Sequence, residues 1–328
     1  MQPKLADVAR EAGVSPTTVS RVINNKAHLS EKTKDNVYAA MQKLNYQPNS
    51  LARSLHGKQT HLIGVIFPSV SNPFYAELIE LIENKLFKNN YKIILCNSAN
   101  NSDKERNYLR MLLANQVDGI IVGTHNVDIK EYQKVELPIV SFDRKLADNI
   151  PIVSSDNAAG GKMAAEELIN HNAHDLYFVG RVHHANATNP TDLRQQAFQE
   201  TITAHGLIPH TWNLSATDSV TIKRAKIEQL LHQPVDGIFA ADDFTALLVM
   251  QTAKNLGIQL PEQLKLIGYD GTKFIQNYHP ELSTIVQPIE DMADLLISIL
   301  LERIDHKSEV SLTDFKLPNT LLRSQTLG

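Results

Sequence analysis

The run AREAGVSPTTVSRVIN, from Ala9 to Asn24, constrains the fold more tightly than any other stretch of the chain. Ala9, Gly13 and Val19 fall at the spacing of two helices joined by a tight turn. A small residue at position 9 lets the helices touch, and Val19 packs the second back onto the first. Gly13 can take the positive φ that ends a helix and redirects the chain. Ser15 is a suitable N-cap for the second helix, and Pro16 falls at its first position, where a missing N–H costs nothing. A helix entered in this way presents its N-terminal residues to a DNA major groove.

A third helix is expected from a Ser30 cap to about Leu44, after a loop over Asn24 to His28. Val37, Met41 and Leu44 share one face and close a small core with Leu5, Val8, Val19, Val22 and Ile23. Pro48 disfavours helix in the residue before it, so NYQPN (45–49) breaks the run. Asn49 or Ser50 then caps SLARSL, a helix that ends at Gly57 and is too short to persist alone in water. It is expected to fold on DNA and to fray off it. Charge points the same way: residues 1–60 carry nine Lys/Arg against four Asp/Glu, a net +5, which leaves 23 against 32, or −9, for the remainder. A basic head on an acidic body implies a polyanionic partner for the head alone.

From His61 the pattern changes to short apolar runs alternating with helical stretches. HLIGVIFP (61–68) reads as a strand followed by a helix near Phe74 to Lys88, with KIILC, GIIV and PIVSF as further strands. A second series begins at LYFVG (176–180), and QVDGII (116–121) has a counterpart in PVDGIF (234–239). Alternation of this kind gives parallel sheets covered by helices, here in two matching lobes with a cleft off the strands' carboxyl ends.

Several function classes are disfavoured. No apolar run approaches the ~18 residues of a membrane span, and no charged-then-apolar leader is present. Cys96 is the single cysteine, so no intrachain disulfide is possible, and its apolar neighbours place it in a buried strand. These features fit a cytoplasmic protein associated with the nucleoid. His183 and His184 have no acid or cysteine at ligand spacing, so no metal is expected. Neither a nucleotide-binding glycine motif nor a G-x-S-x-G or H-E-x-x-H pattern occurs, so no cofactor and no enzymatic activity are expected. Asp243 of the Asp242–Asp243 pair reads as the cap of the following helix.

With these motifs the chain closely resembles the LacI/GalR family of transcriptional repressors. Lys4 to Lys58 matches the family's DNA-binding head and hinge, and residues 61–328 resemble its periplasmic-binding-protein-like core. DKERNYL (103–109), ANQVDGII (114–121), FDRKLA (142–147), IPIVSSDN (150–157) and IGYDGT (267–272) are most similar to the sucrose operon repressors of Gram-positive bacteria, with ribose operon repressors next. The implied fold is an all-α helix-turn-helix head, 1–46, a hinge, 47–60, and an α/β core of two Rossmann-like lobes with parallel sheets. The lobes are expected to comprise 61–158 plus 288–302, and 159–287 plus 303–328. The resemblance implies a homodimer joined through its cores, reading a palindromic operator and answering to a sugar. Sucrose, fructose, ribose or a phosphorylated form all suit that chemistry. No leucine-heptad tail for tetramerisation is expected.

Thr17 and Arg21 lie one turn apart and share a face. Arg21 can donate twice to guanine, and Thr17 can bond a base edge or touch a thymine methyl. Pro16 adds little discrimination. Ser15, Thr18, Ser20, Asn24, Ser30 and Thr33 are expected at phosphates, where they set register, with helix capping the simpler role for Ser15 and Ser30. In the hinge the resemblance matches Leu55 to a leucine that wedges into the minor groove and kinks a flexible step. Asn49, Ala52 and His56 complete that contact.

For the core the resemblance implies a sugar pocket built at strand ends. Phe74 would stack on the ring, while Asn72, Asp143, Arg144, Arg194, Asp242, Asp270 and Gln287 would take hydroxyls. Asp242 stands where many members carry Asn. Three acids against two arginines favour a neutral sugar, unless Lys145 or His183 compensates. Ligand could release the operator or, as in purine-type members, strengthen its binding. A secreted sugar-binding transport protein would share the core but not the head.

Overall fold

The computed structural model describes residues 3–23, 29–47, 59–114, 117–124, 126, 129–181, 189–215, 217–306 and 314–328. The chain divides into two compact units, Met1–Thr60 and His61–Gly328.

The first unit holds α1 (Leu5–Ala12), α2 (Pro16–Ile23) and α3 (Glu31–Lys43). Gly13 ends α1 at φ 66°, and the Val14 N–H reaches back to the Ala9 carbonyl at 3.0 Å. Any other residue would be strained at that φ. Val8, Ala9, Val19, Val22, Val37 and Ala40 form the buried core, with Leu5, Ile23, Met41 and Leu44 packed around it.

In the second unit β1 (Leu62–Phe67), α4 (Pro73–Lys88), β2 (Lys92–Asn97), α5 (Ser102–Ala114), β3 (Gly119–Val122), β4 (Ile139–Phe142) and β5 (Ile152–Ser155) build the first lobe. The chain then crosses to α6 (Asn157–Asn170), β6 (Leu176–Gly180), α7 (Pro190–Ala204), β7 (His210–Asn213), α8 (Val220–Leu231), β8 (Gly237–Ala240), α9 (Asp243–Asn255), β9 (Lys265–Asp270), α10 (Lys273–Tyr278) and β10 (Ser283–Val286). It returns through α11 (Ile289–His306) to β11 (Phe315–Leu317), and crosses once more to β12 (Thr320–Leu322). The sheets have the orders β11-β5-β4-β3-β1-β2 and β12-β10-β9-β8-β6-β7, parallel except where β12 meets β10. Leu78, Ile82 and Leu86 of α4 and Leu296 and Leu300 of α11 cover one face of the first sheet, and Leu109 and Leu112 of α5 the other. Helices α6 and α7 cover one face of the second sheet, and α8 and α9 the other. Each such leucine or isoleucine stabilises the fold by about 1.5–3 kcal/mol.

The repeated V-D-G does the same job in both lobes. Asp118 accepts the His61 N–H at 2.7 Å, and Asp236 accepts those of His174 and Asp175 at 2.9 and 2.8 Å, so each ties down the chain entering a neighbouring strand. Cys96 is buried in β2.

One expected boundary differs. Residues 303–328 do not all belong to the second lobe: β11 pairs parallel with β5, and Ile304 packs in the first lobe's core. The cause is α11, whose apolar face follows the first sheet to its end. The chain leaves that lobe only between β11 and β12. Among the described residues no helix is long and apolar enough to cross a membrane.

Candidate nucleic-acid interface and ligand cleft

In the head, local hydrogen bonds set the reading helix. The Thr18 N–H donates to Ser15 Oγ at 3.1 Å, and the Thr33 N–H donates to Ser30 Oγ at 3.3 Å, so both serines cap helices. Val19 and Val22 turn inward, which leaves Thr17 and Arg21 exposed one turn apart, with Thr18 and Ser20 half-buried beside them. That face is exposed, polar and held by a rigid core, which is what base reading requires. Asn24, Asn49, Ala52, Leu55 and His56 lie outside the described residues, as do His183 and His184.

In the core a cavity of about 580 Å³ lies between the lobes, off the carboxyl ends of the strands. Asn72, Phe74, Asp143, Arg194, Asp242, Asp270 and Gln287 all line it. Arg144 does not: it is buried behind Asp143, where its charge lowers the neighbouring carboxyl's pKa. Asp143 has φ 66°, and this left-handed turn at the end of β4 separates the two side chains. Asp270 is likewise at φ 119°. Non-glycine residues in this region are strained, and such strain gathers at ligand sites.

Asp242, not Asp243, caps the following helix. The Thr245 N–H donates to Asp242 Oδ1 at 2.7 Å, while the buried Asp243 accepts the Gly271 N–H at 2.7 Å and the Thr284 hydroxyl at 2.6 Å. Asp242 is the last extended residue, so its side chain is the one that reaches back over the open N–H groups.

The floor of the cleft is a continuous hydrogen-bond network through the interlobe crossovers. Arg194 Nε donates to Asn157 Oδ1 at 2.6 Å, its Nη1 donates to the Ala241 carbonyl at 2.9 Å, and its guanidinium lies 3.6 Å from the centre of the Tyr269 ring. Asn157 Nδ2 donates to Asp143 at 3.1 Å. The Ser155 hydroxyl donates to Gln287 Oε1 at 2.7 Å, and Gln287 Nε2 donates to Asp270 at 2.8 Å. Asn319, between β11 and β12, donates to the Asp156 carbonyl at 2.7 Å and to the Tyr269 hydroxyl at 3.2 Å. Gly161 of α6 lets α7 approach: a Cβ there would fall 2.1 Å from the Arg194 carbonyl oxygen.

Burial dominates the electrostatics. It raises the Asp143 carboxyl to about 6, against Arg194, the Asn157 hydrogen bond and Arg144. It raises Asp270 well above the ordinary range, against Arg194, with Asp243 and Asp242 adding to the rise. Asp243 is pushed up to about 7, chiefly by burial. Burial works against the Arg194 charge, yet Tyr269, Asp270 and Asp143 facing it raise its pKa overall. On the floor of the cleft Arg194 therefore keeps its charge while the Asp143 carboxyl exchanges its proton near pH 6, a setting suited to charge-assisted hydrogen bonds with hydroxyls.

Sequence reasoning missed several wall residues: Ser69, Ser71, Tyr75, Asn100, Arg181, Asn189, Lys223 and Thr245. It also missed Asn157 and Tyr269 in the supporting network. Asn157 and Arg181 follow strands and were open to the same rule that found Asp143. Lys223 lies inside α8 and carries no such signal. Among the described residues no cluster of His, Cys, Asp and Glu could hold a metal ion.

Residues 4–49 match the model of the bacterial regulatory proteins of the lacI family, and residues 165–325 that of the periplasmic binding protein-like domain. The chain is 53% identical over 329 residues to the sucrose operon repressor of Streptococcus mutans serotype c, covering 100% of both. It is 51% identical to the sucrose operon repressor of Pediococcus pentosaceus, covering 99% of this chain and 100% of that one. The crystal structure of the lac repressor dimer bound to operator and the anti-inducer ONPF matches with a TM-score of 0.83 at 25% identity, over 100% of this chain and 99% of that one. Alike from head to cleft in sequence and in fold, the chain belongs to the LacI family of bacterial regulatory proteins.

Proposed function

We propose that this protein is a cytoplasmic, nucleoid-associated repressor of a sucrose-utilisation operon, binding a palindromic operator as a homodimer and released by a sugar inducer. The supporting observation is the cleft itself: polar groups from both lobes converge on one cavity and share one network through the interlobe crossovers. A ligand that engages Asp143 from one lobe and Arg194 and Asp270 from the other is bound better when the lobes close. That difference in affinity is what can shift a two-state protein. In this reading Phe74 stacks on the sugar ring, and Asn72, Asp143, Arg194, Asp242, Asp270 and Gln287 hold hydroxyls. Arg144 acts only through its charge on Asp143. Arg21 and Thr17 read bases; Ser15, Thr18, Ser20, Asn24, Ser30 and Thr33 meet phosphates. Leu55 wedges into the minor groove, with Asn49, Ala52 and His56 alongside.

The test is a gel-shift and bending assay of the full chain on a symmetric operator duplex, with and without sucrose, fructose, ribose and their phosphates. One of these should lower operator affinity at least tenfold, and Leu55→Ala should abolish bending. Tighter operator binding with ligand would make the protein corepressor-dependent. No response to any of them would overturn the sugar reading.

A further inference from the structure

A hydrogen bond joins the two lobes outside the chain crossovers. Glu77, on α4 of the first lobe, accepts the Lys273 N–H of the second lobe at 2.9 Å. The interlobe bonds described above run instead through Ser155, Asn157, Gln287 and Asn319, which stand at the crossovers themselves.

Both ends of this bond sit directly behind the cleft wall. Glu77 lies one turn beyond Phe74 on α4, and Lys273 lies three residues beyond Asp270. Each end is fixed to its own lobe. Helix α4 is anchored by the fully buried Leu78 and Ile82. Ahead of Lys273, the Gly271 N–H donates to the buried Asp243 at 2.7 Å, and the Gly271 carbonyl accepts from Gln276 Nε2 at 2.7 Å. Thr272 Oγ1 caps α10 by accepting the Ile275 N–H at 3.3 Å, so Glu77 completes the cap of a helix in the other lobe. Around the bond the lobes do not pack: a groove of about 230 Å³ opens there, lined by Glu77, Leu81, Lys273, Gln276 and Pro288 among others. The bond is exposed, so breaking it hands the N–H to water and strands no buried group. A contact of this kind is made in one lobe arrangement and lost in another at little cost to folding.

We propose that Glu77 is a positioning residue for the switch: its bond to the Lys273 N–H holds one of the two lobe arrangements, and so sets the balance between operator and sugar from outside the cleft wall. This deepens the repressor reading and rests on it. An effector that engages Phe74 and Asp270 together moves the two segments that the bond spans. A bond present in one state only shifts the equilibrium by its own strength, and a carboxylate acceptor makes it stronger than a neutral one.

The donor is a backbone N–H at the first position of a helix, where proline is tolerated. Thr272, at φ −63° and ψ 159°, already has the backbone that a following proline requires. Lys273→Pro therefore deletes the donor, as Glu77→Ala deletes the acceptor, and Lys273→Ala controls for the lost ammonium. The readout in the full chain is the ratio of two apparent affinities. One is for the symmetric operator duplex without sugar, by fluorescence anisotropy. The other is for sugar without operator, by calorimetric titration with sucrose, fructose, ribose and their phosphates. When the two ligands favour opposite states, this ratio follows the equilibrium between those states, whichever is the more populated. Glu77→Ala should change it by about threefold or more, Lys273→Pro by the same factor in the same direction, and the double variant no further. Lys273→Ala should match the parent. A plain loss of folded protein lowers both affinities together and leaves the ratio where it was. An unchanged ratio in Glu77→Ala, additive shifts in the double variant, or a Lys273→Ala shift equal to that of Lys273→Pro overturns the proposal and leaves the repressor reading intact. A parent that binds no operator, or none of these sugars, brings down both.

Discussion

The head and the core separate recognition from stability to different degrees. In the head, the residues that hold the fold point inward and the residues placed to read DNA point outward: Val19 and Val22 are buried, and Thr17 and Arg21 on the same helix are exposed. In the core the same side chains do both jobs. Arg194 is a wall of the cleft, yet it is 7% exposed and ties α7 to Asn157 at the first interlobe crossover and to the end of β8. Recognition in the head can therefore change without touching stability, whereas the cleft cannot change its ligand without disturbing its own floor.

The hardest blow to that contrast comes from Arg194→Ala. It removes the charge facing Asp143 and Asp270 and the donor to Asn157 and Ala241. Breaking a buried charge network in this way costs about 3–5 kcal/mol, and effector binding should vanish with it. Urea unfolding of the full chain measures the first, calorimetric titration the second. The loss of stability should be smaller at pH 5 than at pH 8, because the Asp143 carboxyl, raised to about 6, is largely protonated at the lower pH and no longer faces the missing cation as a full charge. A stable variant that still binds effector would show that recognition in the cleft is as separable as in the head.

Gly161→Ala attacks the same site from behind. The added Cβ meets backbone, not a flexible side chain, so α6 and α7 must part. Overpacking of this kind costs about 1–3 kcal/mol. Effector affinity should drop as Arg194 shifts, while operator affinity without effector stays as it was. Equal effector affinity in variant and parent would detach the Arg194 position from the α6–α7 contact.

How much of each region could be read in advance follows from the same contrast. The head was legible because its determinants are local: the caps at Ser15 and Ser30 and the turn at Gly13 lie within a few residues of what they control. Asp143, Asp270 and Gln287 were legible because each ends an apolar run. Arg144 was misplaced because the left-handed backbone at Asp143 depends on the packed cleft and leaves no mark on composition. The helix cap expected at Asp243 fell to Asp242 because adjacent acids differ only in where the helix begins, and such a boundary is uncertain by a residue or two. Lys223 was invisible because its approach to the cleft depends on β7 being an edge strand. The three-residue β11 changes lobes through sheet pairing with β5, for which no periodicity exists.

A smaller effect tests the head's side of the contrast. Arg21→Ala should cost about 1–3 kcal/mol of operator affinity and relax discrimination at one base pair in each half-site. Unfolding free energy should stay within about 0.5 kcal/mol, as expected of an exposed position. Fluorescence anisotropy with single-substituted operators measures the first. A uniform loss of affinity at every operator sequence would make Arg21 a phosphate contact instead.

The smallest effect is a pH slope confined to the core. An unfolded aspartate ionises near pH 4, whereas Asp143 in the fold ionises at about 6 and Asp243 at about 7. Between those limits the folded protein holds more protons than the unfolded chain, so its stability falls as pH rises. The contribution is fully present below about pH 4 and is lost on passing pH 6 to 7. Asp143→Asn removes one of these protons from the balance at little structural cost: asparagine tolerates a positive φ and keeps the oxygen that Asn157 Nδ2 donates to. The variant's unfolding free energy, followed in urea from pH 5 to pH 8, should decline less than the parent's, by on the order of 1 kcal/mol. Parallel declines in the two proteins would mean that Asp143 is already ionised in the fold at pH 5, and that Arg194 and the Asn157 hydrogen bond outweigh its burial.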